Sequence, residues 1–312
     1  MLNIALQKGY QFEELTSIQY AWGFSVAQLG PAEEESSVDL YQSPRIACNK
    51  FRYGAAFDQR LHRRQGFLSF GLLDADNPAV WSYDRLIPND SITVFPQDDD
   101  MKASSPVGFR GQGMHFAEDF MTRLGEQVYH LPLNLLIPAV GSYLPSSAKL
   151  GALREELLKW RQLVEYGAGA RLDIVSGREE SLALAVFEAL YDASPSMSAK
   201  VTKSEHSVTR ALEVIHSSEL ENILASELCS FTGCSQRTLE KGFLKRFGVT
   251  PKKYIKSLRL SQVYQGLREF DQQDCDSIIE LAGIHGFWHM GQFAADYRVI
   301  YGELPSETLK RR

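Results

Sequence analysis

The chain is poor in the residues that mark secreted and membrane proteins. Its 312 residues include four cysteines, Cys48, Cys229, Cys234 and Cys275, which are too few and too scattered for a disulfide framework. Cys229 and Cys234 have no second pair that would complete a zinc site. No stretch approaches the roughly 18 apolar residues of a membrane-spanning helix, and the N-terminal segment has no signal-peptide core. These absences predict a cytoplasmic protein with reduced thiols and no membrane partner.

The sequence also lacks the patterns of common enzymes. Before residue 194, histidine occurs only at His62, His115 and His130, and no two of them form a His-x-His pair. There is no nucleophile elbow, phosphate-binding loop or Rossmann glycine pattern. We therefore predict no catalytic residues, no metal and no cofactor, and we keep a metal-dependent enzyme only as an alternative.

Charge is distributed unevenly along the chain. The net charge of −6 comes from 33 Lys and Arg against 39 Asp and Glu. Residues 201–312 carry 15 basic and 14 acidic side chains, or +1, which leaves −7 on residues 1–200. Between Ser235 and Arg259 there are eight basic residues and one acid, Glu240. Positive charge confined to one segment is what a DNA-binding face requires.

Two patterns divide the chain into domains. Residues 37–116 contain short runs rich in Val, Ile, Phe and Tyr, broken by turn residues, which predict a small β-barrel or sandwich. Pro88-Asn89-Asp90 supplies turn chemistry between two runs that we expect to pair as a hairpin. Helical periodicity follows in 146–193, and the segment 194–204 reads as a linker. We therefore predict a domain at 1–193 and an all-α domain at 205–312.

The C-terminal domain contains one pattern twice, with an offset of 53 residues from Leu228 to Cys234 and 54 residues from Leu239 onward. The first copy consists of Leu228, Cys229, Gly233, Cys234, Leu239, Phe243, Phe247, Gly248 and Pro251. The second consists of Leu281, Ala282, Gly286, Phe287, Phe293, Tyr297, Tyr301, Gly302 and Pro305. A bundle whose aromatic residues are merely core is the alternative, but it does not explain why the small residue, the glycine and the proline recur together.

Each part of the repeat suits a helix-turn-helix unit. Cys229 and Ala282 are small enough for two helices to cross, and Gly233 and Gly286 suit a turn with positive φ. The apolar stripe at every fourth residue points inward and leaves the other faces of the second helix for DNA. We predict units at 222–248 and 276–302, joined by a long helix over 250–270 with Thr250 as its N-cap.

Two segments resemble the AraC/XylS family of bacterial transcription regulators. SQRTLEKGFLKRFGVTPKKYIKSLRL is similar to the family's first reading helix and linker helix, and LAGIHGFWHMGQFAADYRVIYGELPSETL to its second unit. GFWHMGQFAADY further resembles the subgroup that contains the ethanolamine-utilisation regulator and, more loosely, XylS-type activators. The resemblance covers 205–312 and implies an N-terminal sensing and dimerising domain, a C-terminal reader of double-stranded promoter DNA, and activation through RNA polymerase.

The resemblance also implies which residues meet DNA. Arg237 and Lys241 suit guanine edges or phosphates, Gln236 suits adenine or the DNA backbone, and Glu240 suits cytosine. The second unit has Met290, Gly291, Ala294 and Ala295 at its outer positions, which leaves only apolar contacts to thymine methyl groups. For Trp288 and His289, core packing is the alternative to a backbone contact. The predicted DNA-binding residues are Ser235, Gln236, Arg237, Thr238, Glu240, Lys241, Lys245, Trp288, His289, Met290, Gln292 and Arg298.

The N-terminal domain resembles a cupin-like jelly roll, and its aromatic and arginine residues suit a small amphipathic organic effector. The candidate effector-binding residues are Trp22, Arg45, Arg52, His62, Trp81 and Arg110. The alternatives are that the aromatic residues are core, or that a protein partner controls the domain. We also expect a homodimer through the 146–165 helix, whose leucine stripe could instead pack on its own barrel.

Overall fold

The chain has a β-rich N-terminal domain followed by an all-helical C-terminal domain, so the predicted fold class is confirmed. The computed structural model describes residues 5–11, 24–61, 65–74, 76–78, 80–82, 85–96, 101–167, 170–196, 202–217, 226–268 and 277–311. The strands are β1 (Ala5–Gln11), β2 (Phe24–Gln28), β3 (Ser37–Gln42), β4 (Ile46–Arg52), β5 (Phe57–Leu61), β6 (Phe67–Leu73), β7 (Val80–Ser82), β8 (Arg85–Ile87), β9 (Ile92–Val94), β10 (Met101–Ser105), β11 (Arg110–Ala117), β12 (Gly141–Leu144) and β13 (Ser194–Pro195).

Helices follow the last long strand and make up the whole C-terminal domain. They are α1 (Glu118–Tyr129), α2 (Leu133–Leu136), α3 (Ser147–Tyr166), α4 (Leu172–Tyr191), α5 (Lys203–Ser217), α6 (Glu227–Thr232), α7 (Gln236–Phe247), α8 (Pro251–Arg268), α9 (Ile278–Ile284), α10 (Met290–Tyr301) and α11 (Pro305–Lys310). None of the helices in the described part of the chain is both long and apolar enough to span a bilayer.

Two antiparallel sheets form the N-terminal domain. The larger has the order β1-β3-β4-β11-β6-β9-β12-β13 and the smaller β2-β5-β10-β7-β8. One hydrophobic cluster, with Phe51, Phe57 and Phe109, lies between the sheets. A second cluster covers the other face of the larger sheet with residues from α1, α3 and α4. Because both faces of the larger sheet are covered, its central strands β4 and β11 are buried over most of their length.

The hairpin predicted across Pro88-Asn89-Asp90 is wrong. β8, before the turn, pairs with β7 in the smaller sheet, whereas β9, after it, pairs with β6 and β12 in the larger. The turn therefore carries the chain from one sheet to the other. The Ser91 hydroxyl donates to the carbonyl oxygen of Pro88 (2.7 Å), and Ile92 is fully buried in the helix-covered core.

The leucine stripe of α3 packs on its own domain. Leu150, Leu153, Leu157 and Trp160 are all buried, and the indole nitrogen of Trp160 donates to the Ser43 hydroxyl (3.2 Å). These residues have no surface left for a second subunit. The stripe thus packs on its own domain, the alternative given above, and a dimer interface through the 146–165 helix stays a prediction that would need its exposed residues, such as Leu158.

The junction between the domains differs from the predicted 194–204 linker. β13 pairs with β12, with Ser194 opposite Leu144, and α5 begins at Lys203. Residues 197–201 lie outside the described part. The helical domain therefore starts slightly earlier than 205, with α5, a helix that the repeat did not reveal.

Candidate nucleic-acid interface

The first helix-turn-helix unit consists of α6 and α7, with α5 packed across them. Gly233 ends α6 with φ 66°, which confirms the predicted left-handed turn. Arg210 of α5 donates to the carbonyl oxygen of Phe231 (2.8 Å) at the end of α6. A Cβ atom added to Gly242 of α7 would lie only 2.5 Å from Cγ2 of Val208, so this glycine lets α5 and α7 cross closely.

The buried stripe of α7 is the predicted one. Leu239, Phe243 and Phe247 are all buried, and the rings of Phe243 and Tyr254 meet edge to face at 5.3 Å. Tyr254 belongs to α8, so the stripe ties α7 to the linker helix. The other faces of α7 point away from the core.

Those outer faces carry most of the predicted first-unit residues. Arg237 and Lys241 are exposed, and the exposed Gln236 donates to a carboxylate oxygen of Glu240 (2.8 Å). This pairing presents an amide and a carboxylate side by side, both of which are suited to base edges. Ser235 is the N-cap of α7, and its hydroxyl accepts from the backbone nitrogen of Thr238 (3.3 Å).

Lys245 lies at the domain boundary. Its ammonium nitrogen is 2.6 Å from Oε1 of Glu205 on α5 and 5.4 Å from the ring centre of Trp81. A nearby cation and an aromatic face attract each other. The predicted DNA contact Lys245 and the predicted effector contact Trp81 thus meet each other across the two domains.

The linker helix α8 is confirmed as a long connecting helix. The Thr250 hydroxyl accepts from the backbone nitrogen of Lys253 (3.4 Å), and Pro251 is the first helical residue. The first half of α8 packs in the first unit through Tyr254 and Leu258. Its second half packs in the second unit through Tyr264 and other residues, so one helix serves both cores.

The second unit consists of α9 and α10, with α11 packed behind them. Gly286 has φ 79°, as predicted for the turn. The hydroxyls of Tyr297 and Thr308 are 2.8 Å apart, and the rings of Tyr264 and Tyr301 stack at 4.5 Å. Burial raises the pKa of Tyr301 well above its usual value.

The outer face of α10 is exposed at its first turn. Trp288 is 80% exposed, which removes core packing as an explanation for this residue. His289, the N-cap position, and Gln292 are exposed as well, and Met290 is half-buried. Arg298 is exposed but lies in the last turn, about 13 Å along the axis from His289 at 1.5 Å per residue.

The two domains are joined along strand β2. The side-chain nitrogen of the buried Gln28 donates to the carbonyl oxygens of Gly30 (2.7 Å) and Ile300 (2.8 Å), and Ile300 belongs to α10. The hydroxyls of Ser257 and Ser261 in α8 donate to Leu29 O (3.1 Å) and Val26 O (3.5 Å). The linker helix therefore covers β2, the edge strand of the smaller sheet.

A polar cluster centred on Asp58 lies beside this contact. The Tyr254 hydroxyl donates to Oδ2 of Asp58 (2.9 Å), and Nε2 of His216 is 3.8 Å from the same oxygen. Burial raises the pKa of Asp58 to about 6. The effects that oppose this rise come from the Tyr254 hydrogen bond and from the charges of Arg246, Arg60 and Lys102. Burial, with the same cations, lowers the pKa of His216 to about 4.

The candidate effector residues in the described part of the chain do not form one site. Arg45 binds both Glu179 of α4 (2.7 Å) and the Ser176 hydroxyl (2.7 Å), so it fastens a helix to the sheet. Arg52 and Arg110 are opposite each other in the β4–β11 register, and both are exposed. Trp81 is buried against Lys245. Trp22 and His62 lie outside the described residues.

The space between the two sheets is nearly filled. Its cavity is about 50 Å³ and is lined by residues such as Phe95, Phe109 and Thr93. A Cβ atom added to Gly71 would lie 2.7 Å from the ring of Phe95, and one added to Gly111 would lie 2.8 Å from that of Phe109. The two rings thus occupy room that the glycines leave open. Organic ligands need roughly 300 Å³ or more, so an effector here requires the rings to move.

Thiols and histidines give no metal centre in the part of the chain that the structure describes. Cys48, Cys229 and Cys234 are free thiols there, whereas Cys275 lies outside it. Burial raises the pKa of Cys48 to about 12. No group of three His, Cys, Asp or Glu side chains within the described ranges could hold a metal ion.

Sequence reasoning missed the residues that join the domains. Gln28 and Asp58 lie in strands that the alternation of apolar residues did not predict. Ser257 and Ser261 were a usable signal, because small polar residues four apart on an otherwise apolar helix face allow a backbone to approach closely and supply donors to it.

Comparison with known proteins identifies the C-terminal region. Residues 228–311 match the family described as "Helix-turn-helix domain". The "XylDLEGF operon transcriptional activator 1" of Pseudomonas putida is 36% identical over 111 residues, which are 36% of this chain and 33% of that protein. The "Probable thc operon regulatory protein" of Rhodococcus erythropolis is 28% identical over 103 residues, 33% of this chain and 31% of that protein. The chain thus aligns with about a third of the length of these relatives.

Solved structures of regulators were also found. The AraC-like transcriptional activator CuxR is 14% identical with a TM-score of 0.43, covering 85% of this chain and 96% of that one. ToxT from Vibrio cholerae O395 is 13% identical with a TM-score of 0.29, covering 92% and 97%. The named relatives of the C-terminal region are an operon transcriptional activator and a probable operon regulatory protein.

Proposed function

We propose, from a C-terminal region that is a helix-turn-helix domain of the AraC/XylS type, that this chain is a sequence-specific DNA-binding transcription regulator and acts as an activator. The observation that carries the proposal is the two-sidedness of α7. Its inner stripe is fully packed, while Arg237 and Lys241 stand exposed on the outer face. An exposed basic face on a rigid second helix is the arrangement that reads a major groove.

In this proposal α7 and α10 enter successive major grooves, about 34 Å apart. Arg237 and Lys241 bind guanine edges or phosphates, and the paired Gln236 and Glu240 select adenine and cytosine. Helix α10 has little to offer bases beyond thymine methyl groups. Exposed residues of α10 and of the segment before it fix the sugar-phosphate backbone instead, and these are Trp288, His289, Gln292 and Arg298.

Selection of DNA by the full chain tests this function. Binding sites are enriched from a random duplex library, and the expected motif has two parts about 10 base pairs apart, with the more sharply defined part under α7. If the folded chain binds no duplex at low ionic strength, the proposal fails.

A small organic effector is the proposed signal for the N-terminal domain. In support, the rings of Phe95 and Phe109 sit over Gly71 and Gly111, so a turn of either ring would enlarge the cavity between the sheets. The full chain is screened for thermal stabilisation by amines, amino acids and aromatic acids. Stabilisation by one class, together with a change in promoter affinity, supports the effector; no change from any class favours control by a protein partner.

The remaining parts of the proposal concern context. We place the chain in the cytoplasm as a homodimer that contacts RNA polymerase, and we assign it to the subgroup that contains the ethanolamine-utilisation regulator. Since the α3 stripe is internal, a dimer must use other surfaces. Exposed apolar residues of α4, such as Leu172 and Ile174, are available. Sedimentation of the full chain as a monomer at high concentration would rule out the proposed homodimer.

A further inference from the structure

A groove of about 730 Å³ lies between the linker helix and the second helix-turn-helix unit. One wall is α8 of the linker, and the other is the first turn of α10 with the segment before it. The lining residues are Ser226, Lys252, Ile255, Lys256, Arg259, Gly286, Phe287, Trp288, His289, Gln292, Phe293 and Asp296. The groove therefore lies between the linker helix and the N-terminal end of the second reading helix, with Ser226 of the first unit at its edge.

The linker wall is positively charged. Lys252, Lys256 and Arg259 follow one another at steps of four and three residues, so they form one stripe of α8. The wall formed by the second unit contributes one carboxylate, Asp296, whose Oδ1 is 2.8 Å from the Lys256 nitrogen. Three cations and one anion give the groove a charge of +2.

The position of the groove indicates what fills it. In a helix-turn-helix protein the N-terminal end of the reading helix enters the major groove, and here that end of α10 forms the wall opposite the cations. When two reading helices occupy successive major grooves, the duplex between them presents its minor groove, bordered by two phosphate strands.

We propose that α8 is itself a DNA-contacting element, and that Lys252 and Arg259 bind phosphates of the stretch between the two half-sites. Asp296 holds Lys256 against the second unit and thereby fixes the separation of the walls. The contact neutralises charge without reading sequence, so it adds affinity equally at every site. This inference rests on the proposed function and deepens it.

The test compares two neighbouring exposed lysines of the full chain. Lys252 lines the groove, whereas Lys253 is exposed outside its lining. For Lys252→Ala we expect the slope of log affinity against log salt to fall by about one, and by the same amount on a selected site and on a random duplex of about 30 base pairs. For Lys253→Ala we expect the wild-type slope. Both substitutions are at exposed positions, and equal thermal midpoints verify folding.

A modified duplex locates the contact. Replacing the phosphates between the half-sites with neutral methylphosphonates should weaken the wild type about three- to tenfold and Lys252→Ala by less. Two results would overturn the proposal while the wild type still binds DNA: an unchanged salt slope for Lys252→Ala, or equal losses of affinity for both proteins on the modified duplex. Either result would leave the reading helices as the DNA contacts. Failure of the wild type to bind any duplex overturns the proposed function as well.

Discussion

The Tyr254 hydroxyl donates a 2.9 Å hydrogen bond to Oδ2 of Asp58, a side chain 196 residues away in the other domain. Tyr254 also packs on Phe243 and Phe247 of the first reading helix. A single side chain therefore contacts both the sheet and the stripe that sets the position of α7. Changes in the N-terminal domain therefore have a direct physical route to α7, the helix with the exposed Arg237 and Lys241.

Asp58→Asn tests the electrostatics of this contact. The pKa of Asp58 is raised from 3.8 to about 6, so the folded state holds the proton more tightly than the unfolded chain does. The carboxylate consequently costs stability that is absent below about pH 3.8 and grows as the pH rises through 6. Asparagine has no such proton and still accepts from Tyr254. We expect the unfolding free energy of the variant, relative to wild type, to increase by about 1–2 kcal/mol from about pH 4 to about pH 7.5.

Urea unfolding across this pH range gives the measurement. The neighbouring His216 has the opposite effect, because its lowered pKa removes stability as the pH falls from 6.5 towards 4. Because Nε2 of His216 lies 3.8 Å from Asp58, the same comparison is made in a His216→Ala background, where this contribution is absent. If the difference in unfolding free energy between the variant and the wild type does not change with pH, the raised pKa of Asp58 is contradicted.

Gln28→Ala is expected to destabilise the chain by about 1–3 kcal/mol, because the carbonyl oxygens of Gly30 and Ile300 lose their buried donor. The matched control is Gln127→Ala at an exposed position of α1, which should change stability by less than about 0.5 kcal/mol. The thermal unfolding midpoints of both variants are measured against that of the wild type. Equal midpoints for Gln28→Ala and Gln127→Ala would show that Gln28 does not join the domains.

Glu179→Ala removes a nearly buried carboxylate that accepts from the Ser43 hydroxyl, the Arg45 backbone nitrogen and the Arg45 guanidinium. Since this leaves the partly buried Arg45 cation with its main partner gone, we expect a loss of about 3–5 kcal/mol in unfolding free energy. Glu180→Ala is the control. Its carboxylate is 45% exposed and lies 3.7 Å from Arg45, so a loss below about 1 kcal/mol is expected. Similar losses from both would rule out a special role for Glu179.

Arg237→Ala distinguishes base reading from backbone binding. If Arg237 contacts a base edge, the variant should lose about 1–3 kcal/mol of binding at one operator position and discriminate less there. Binding is measured across single-base operator variants at fixed salt. A uniform loss at all sequences, with a lower salt slope, would identify a phosphate contact, and no loss would remove Arg237 from the interface.

The structure of the helical domain could be predicted from the sequence because the residues that determine its turns and helix ends act locally. Gly233 and Gly286 adopt the positive φ that their place in the repeat predicts, and Phe243 and Phe293 are buried as their spacing requires. Thr250 and Pro251 likewise mark the start of the linker helix. Each of these signals acts over a few residues.

The two sheets were harder to predict because their strands pair with partners that are distant in sequence. β5 and β10 contain polar residues in sequences such as FDQRL and MKASS, and they pair with Leu61 opposite Met101, 40 positions away. Pro88-Asn89-Asp90 looks like a hairpin turn, yet the burial of Ile92 in the larger sheet decides the direction of the chain. The residues that join the domains depend on this pairing, so they too escaped prediction.

Strand β2 and the residue after it contact two helices of the C-terminal domain. Ser257 and Ser261 of the linker helix donate to this segment, and Gln28 of β2 donates to Ile300 in the last turn of α10. A displacement of this edge strand would therefore move the linker helix and the last turn of α10 together. Under the proposed function, occupancy of the two half-sites should therefore rise and fall in concert, as a single on-off response of the promoter.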